Sequence, residues 1–180
     1  MADRYWVAGG TGNYNSTTNW SATSGGASGA SVPIVSDNVF SNASSGAGTA
    51  TINVASFCAN LNLTGFLGTL NFNQTLSVQG TIMNFGLGTY TITGTANLRL
   101  LSAGMTITSN GTTYTGNIEF VNNSTVYTLA DNMSCSGTIT AISANPIING
   151  NTLFIGGNLT NSTTTAISGP TAFVFNGTGT

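Results

Sequence analysis

A short phrase, apolar-x-apolar-x-Gly-x-apolar, returns along this chain and restricts its fold more than any other feature. It reads Leu76-Ser77-Val78-Gln79-Gly80-Thr81-Ile82, then Met133-Ser134-Cys135-Ser136-Gly137-Thr138-Ile139, then Leu153-Phe154-Ile155-Gly156-Gly157-Asn158-Leu159, and it begins again as Phe173-Val174-Phe175-Asn176-Gly177. Looser copies place Leu61 and Leu63 before Gly65, Tyr90 and Ile92 before Gly94, and Tyr114 before Gly116 with Ile118 and Phe120 after. In the second half the glycines recur about every twenty residues, a period that marks stacked repeats. A unit this short, without a helix, cannot cover its own apolar side and must lie on copies of itself. The phrase therefore predicts an all-β chain wound as a parallel β-helix, or β-solenoid. Each coil would supply two or three short strands, and strands of successive coils would pair in parallel at about 4.8 Å. Leu76, Val78, Cys135 and Ile155 are the expected inward positions. Gly80, Gly137 and Gly157 should mark bends or close passages of neighbouring coils, because glycine takes positive φ at little cost. An antiparallel sandwich also uses short alternating strands, but its strands have no reason to repeat one phrase.

Between the glycines the text alternates, as in Thr51-Ile52-Asn53-Val54, Asn60-Leu61-Asn62-Leu63-Thr64 and Thr69-Leu70-Asn71-Phe72-Asn73. Period two means strands. Thr, Val, Ile and the aromatics suit a pleated surface, and the helix formers Lys, Glu and Arg are nearly absent, so almost no helix is expected. Outward Asn and Thr at equivalent places would form hydrogen-bonding ladders between coils. Residues 1–48 read differently. They hold both tryptophans and a Gly/Ser-rich stretch from Ser24 to Ser31. Trp6 and Trp20, with Tyr5, Tyr14 and Phe40, would close the open end of the solenoid, where bare strand edges invite aggregation; a sugar-stacking platform is the alternative. The expected division is a cap or attachment segment over 1–48 and a β-solenoid shaft over 49–180. The last expected strand, Thr171 to Thr180, stops within a repeat, which implies a covering chain or a longer polypeptide.

Charged residues make up 3% of the 180-residue chain, against about 25% in an average soluble domain. They are Asp3, Arg4, Asp37, Arg99, Glu119 and Asp131. Two basic residues cannot supply the cationic footprint that phosphate backbones require, so no nucleic-acid partner is expected. With no His in the chain, Ser-His-Asp and Cys-His catalysis lack a base, and a closed zinc site lacks ligands. Glu119 and Asp131 are the sole carboxylates near enough in sequence for paired glycoside chemistry, but their offset is not a coil repeat and nothing sets them on one face. Asp37-Asn38 and Asp131-Asn132 offer fewer oxygens than calcium takes. Gly9-Gly10-Thr11-Gly12 lacks the Lys and the strand-to-helix setting of a phosphate loop. Cys135 falls on an apolar strand position and reads, with Cys58, as a buried free thiol. These readings predict no catalytic, cofactor-binding or metal-binding residues, and a protein that is not an enzyme. No apolar stretch approaches the roughly 20 residues of a membrane helix, so no membrane partner is expected, and the opening lacks the pattern of a secretory signal.

The opening Arg4-Tyr5-Trp6-Val7-Ala8-Gly9-Gly10-Thr11-Gly12-Asn13 is followed by Thr18-Asn19-Trp20-Ser21, Gly25-Gly26-Ala27-Ser28-Gly29-Ala30-Ser31-Val32-Pro33 and Asp37-Asn38-Val39-Phe40. This text resembles the N-terminal segment of phage β-helical tail and fibre proteins. Thr128-Leu129-Ala130-Asp131-Asn132-Met133 and Val174-Phe175-Asn176-Gly177-Thr178-Gly179-Thr180 are similar to their shaft rungs, and filamentous-haemagglutinin-like adhesins use similar rung text. The resemblance implies a structural virion protein, a tail fibre or fibre-like appendage. It would be joined to other virion proteins through residues 1–48 and display a stiff shaft for host attachment, often as a homotrimer that meets host surface glycan. It transfers no catalytic residue. Members run longer, which places a receptor-binding tip outside this chain. A bacterial surface adhesin or carbohydrate-binding β-helix module is the other class that the same rod serves, and the missing export signal argues against it.

Overall fold

A computed structural model describes residues 1–122, 126–142, 147–161, 168–170 and 172–176. The strands form a parallel β-solenoid with three faces per coil. The first face is nine-stranded: Asp3–Trp6, Asn38–Phe40, Leu61–Asn62, Ile82–Asn84, Thr106–Thr108, Val126–Leu129, Ile147–Gly150 and Ser168–Pro170 stack in chain order, and Trp20–Ser21 closes the N-terminal edge. The third face is a six-stranded stack of Ser56–Cys58, Leu76–Val78, Asn97–Leu100, Asn117–Phe120, Ile139–Ala141 and Leu159–Asn161. The second face is two separate four-stranded sheets. One runs through Gly12–Asn13, Thr49–Ile52, Thr69–Phe72 and Thr91–Gly94, the other through Thr113–Tyr114, Met133–Cys135, Leu153–Ile155 and Phe173–Phe175. All these pairs are parallel except Asp3–Trp6 with Trp20–Ser21, which is antiparallel. The eight parallel strands of the first face, at about 4.8 Å spacing, make a rod roughly 35 Å long. Among the described residues, helix is confined to the 3-10 turns Thr17–Asn19 and Ala43–Ser45.

Period two along the strands becomes columns across them. On the third face Leu76, Leu98, Ile118 and Ile139 lie side by side, as do Val78, Leu100, Phe120 and Ala141, and all eight are 0% exposed. Cys135 and Ile155 follow Tyr114 in an equivalent inward column of the second face. The four predicted inward residues are thus buried. Outward amides form ladders: Asn60 Nδ2 donates to Asn38 Oδ1 at 2.8 Å, and Asn38 Nδ2 to Asp3 Oδ1 at 2.8 Å. Asn117 Nδ2 donates to Asn97 Oδ1 at 3.2 Å, one coil of 20 residues away.

The repeated phrase is not one structural unit. Leu76–Val78 is a third-face strand, so Gly80 turns the chain toward the first face. Met133–Cys135 and Leu153–Ile155 are second-face strands, so Gly137 and Gly157 turn it toward the third. Both corners need the same text because both follow an inward-facing pair and press backbone on backbone. A Cβ on Gly137 would lie 2.3 Å from the Gly116 carbonyl oxygen, and one on Gly80 2.6 Å from that of Ala59. Close passage, not positive φ, accounts for these glycines: none of Gly80, Gly137 and Gly157 has left-handed backbone. The compositional change at residue 48 is also not where coiling begins, since Asp3–Trp6 pairs with Asn38–Phe40, and that strand with Leu61–Asn62, in the parallel manner of the shaft. Gly177 to Thr180, the end of the last expected strand, lies outside the described residues.

Candidate functional site

The aromatic cluster divides between the inside and the outside of the N-terminal coil. Trp6 and Trp20 are each 1% exposed and Tyr14 2%, which leaves no ring face for a sugar. Their rings meet edge to face, Trp6 on Trp20 at 5.3 Å and Tyr14 on Trp20 at 4.9 Å. Trp20 Nε1 donates to the Tyr14 carbonyl at 2.7 Å, whereas the buried Trp6 Nε1 has no hydrogen-bond partner among the described residues. Tyr5 and Phe40 are register partners one position out of phase with Trp6, so they point outward and stack flat, 4.9 Å apart. The edge of Trp20–Ser21 is covered as well, because the Trp20 carbonyl accepts from the backbone N–H groups of Gly29 and Ala30, both at 3.0 Å. Asn19 Nδ2 donates to the Asn13 carbonyl at 2.8 Å. The Gly/Ser-rich stretch therefore folds back to block strand addition. Gly9-Gly10-Thr11-Gly12 is a corner of this cap: Gly9 bridges to Gly46, and a Cβ on Gly48 would fall 2.1 Å from Gly10 backbone. Gly9 has left-handed backbone at φ 68 and a Cβ on Gly12 would meet the Asn19 side chain, whereas one on Gly10 would meet nothing.

All six charged side chains are engaged in hydrogen bonds or ion pairs. Arg4 Nη2 lies 3.7 Å from Asp37 Oδ2 and donates to Ser31 Oγ at 2.7 Å, pinning the end of the Gly/Ser stretch. Asp37 accepts the backbone N–H of Ala2 on one oxygen and of Ile34 on the other, and Asp3 accepts from Asn38. Glu119 stands outward on the third face, its Oε2 2.7 Å from Arg99 Nε in the coil below and its Oε1 accepting from Asn97. Asp131 sits at the corner after Val126–Leu129, where its oxygens accept from Ser109 N at 2.7 Å and Asn110 N at 2.6 Å. That clasp holds Asn110 at φ 49, the one non-glycine residue in left-handed backbone among the described residues. Glu119 and Asp131 are thus on different parts of the coil and hold structure in place. The oxygens considered for a cation are used likewise: Asn38 Oδ1 accepts from Asn60 and Asn132 Oδ1 from Thr152 N. Among the described residues no three His, Cys, Asp or Glu side chains come together.

Both thiols are free and buried. Burial pushes the Cys58 thiol up to about 12 and Cys135 up to about 11, so neither is a thiolate near neutral pH. Cys135 Sγ donates to the Gly116 carbonyl at 3.1 Å.

One open apolar feature stands out among the described residues. Val32, Pro33, Ile34 and Val35, leaving the cap, face the corner Val54–Phe57 across a groove of about 550 Å3. Ile34, Val35, Val54 and Phe57 are exposed there, and no charged side chain lines the groove. Its polar Ser56 Oγ is turned inward, donating to the Val54 carbonyl at 2.8 Å. Sequence reading missed this surface. A signal was present in the unbroken run Val32-Pro33-Ile34-Val35, where alternation would have left half the positions polar, but nothing in the text pairs that run with Phe57. Family models, curated proteins and solved structures contain no match to this chain.

Proposed function

We propose that this chain is a non-enzymatic structural protein, the shaft of a fibre-like appendage on a phage particle that serves host attachment. The observation that carries the reading is the commitment of every charged side chain to holding coils together, beside two neutral buried thiols. A surface so short of free acid, base or nucleophile is suited to mechanical display. Burial of each coil by its neighbours gives a stiff rod, and the sealed N-terminal edge keeps that end from recruiting strands. The groove between residues 32–35 and 54–57 is the apolar surface through which residues 1–48 would seat on other virion proteins, and a homotrimer is the expected assembly. Electron microscopy of intact particles with an antibody raised to residues 1–48 tests this. Label at the base of an appendage is expected; label confined to a bacterial envelope would overturn it.

One observation favours an adhesin or carbohydrate-binding module as the second reading. Thr49, Thr69 and Thr91 stand side by side on the second face, as do Thr51, Asn71 and Thr93, and none of these side chains is hydrogen-bonded to another described residue. Hydroxyl and amide groups left free in columns could meet a glycan. Binding on a glycan array that is lost in Thr69→Val/Thr91→Val would support this reading, and an empty array would sink it.

A further inference from the structure

The second face is interrupted once, between Thr91–Gly94 and Thr113–Tyr114, while the first and third faces pair without a break across the same level. Elsewhere, successive three-stranded coils are joined by three ladders; here they are joined by two. The cause is Gly94. It continues the inward column of Ile52 and Phe72 but brings no side chain, at φ +84, where a Cβ would lie 2.3 Å from the Phe72 carbonyl oxygen. Tyr114 of the next coil takes the vacant volume, its ring edge-on to Phe72 at 5.0 Å. With that ring wedged between coils, hydroxyls replace the missing ladder: Tyr114 OH donates to the Ala96 carbonyl at 2.7 Å and Thr115 Oγ1 to the Gly94 carbonyl at 2.7 Å. Tyr90 OH and Thr112 Oγ1 lie 3.0 Å apart across the same gap.

We propose that this seam divides the solenoid into two cooperative blocks, residues 1–100 and the coils from Thr106 onward, which part from each other before either loses its own stacking. In a one-dimensional array the boundary of partial unfolding settles at the weakest neighbour coupling. The seam has lost backbone ladder bonds and depends on side-chain hydroxyls contributed mainly by Tyr114 and Thr115. A shaft under load would yield there first. This inference stands on the fold alone and does not depend on the virion reading.

Native-state hydrogen exchange of the full chain in rising urea tests it. The unaltered protein should show two sets of protected amides with distinct opening free energies, dividing between residues 100 and 106. In Tyr114→Phe/Thr115→Val, which loses two hydrogen bonds of the seam, exchange of both sets should accelerate by a similar factor of at least about tenfold, because either block must give up the seam to open, while the boundary stays where it is. Thr140→Val removes the Thr140 to Thr160 hydroxyl contact of 2.9 Å within the second block and should leave the boundary where it is. A single exchanging set in the unaltered chain, a boundary elsewhere, or a double variant whose two sets exchange as in the unaltered chain would overturn the proposal. The measurement on the unaltered chain decides even if the double variant fails to fold.

Discussion

Truncating Leu98 to Ala would test whether the coils shield one another as the columns imply. Leu98 is fully buried between Leu76 in the coil below and Ile118 in the coil above. The substitution removes three carbons, about 2.4 kcal/mol of transfer free energy at about 0.8 kcal/mol each. Its neighbours are held by ladder hydrogen bonds on both sides and cannot sink far into the gap, so a cavity term adds to this. A total of about 3 to 4 kcal/mol is expected, inside the usual span for buried Leu→Ala. Urea unfolding followed by tryptophan fluorescence reads it, because Trp6 and Trp20 sit in the same block. At a slope of about 2 kcal/mol per molar the midpoint should fall by about 1.5 to 2 M. Leu87→Ala is the control: Leu87 is 76% exposed, and its loss should change stability by less than about 0.5 kcal/mol. If Leu98→Ala moved the midpoint no further than Leu87→Ala, mutual burial of stacked coils could not be what holds the chain together.

Register is open to a covalent test. Thr69 and Thr91 face each other on adjacent parallel strands, so Thr69→Cys/Thr91→Cys should form a disulfide on mild oxidation, seen as a mass loss of about two hydrogens, since the strand spacing falls within disulfide reach. Thr69→Cys/Thr93→Cys, one residue pair out of register, should oxidise much more slowly. In the cap, Trp20→Phe breaks a 2.7 Å bond to the Tyr14 carbonyl and leaves that acceptor buried, whereas Trp6→Phe removes a buried N–H with no partner among the described residues. Thermal melts should therefore place Trp20→Phe below Trp6→Phe, by about 1 to 3 kcal/mol. The chain should also lose stability in alkali. Cys58 and Cys135 ionise in the unfolded chain from 9.0 but only near 12 and 11 when folded, and Tyr14 and Tyr114 are raised above 10.0 by burial. The folded state thus holds more protons above pH 9, and stability, fully present below that, should fall as pH rises through 9 to 12. A denaturation midpoint that stays level from pH 8 to 11 would contradict the burial of these groups.

The coil was legible because its cause is local. Thr69-Leu70-Asn71-Phe72 must turn Leu70 and Phe72 to one side, and a chain that does this repeatedly with almost no charge has few ways to cover that side except with itself. The inward placing of Val78, Cys135 and Ile155 followed from the same rule. Gly80 and Gly137 were read as equivalent because the same close passage occurs at two different corners, and letters alone do not distinguish them. Likewise Gly9-Gly10-Thr11-Gly12 gave no hint that its backbone presses on Gly46 and Gly48, distant in sequence and adjacent in space.

Alternation and glycine spacing, properties of neighbouring residues and of steric freedom at single positions, were enough to specify strands and coiling. Which coil lies against which was not contained in them. The groove at Phe57, the clasp of Asp131 on the turn below, and the seam that Tyr114 fills above Gly94 arise between residues about a coil apart or more. Contacts of that kind depend on the number of residues in each intervening corner, and corner length varies without leaving a mark in the apolar pattern.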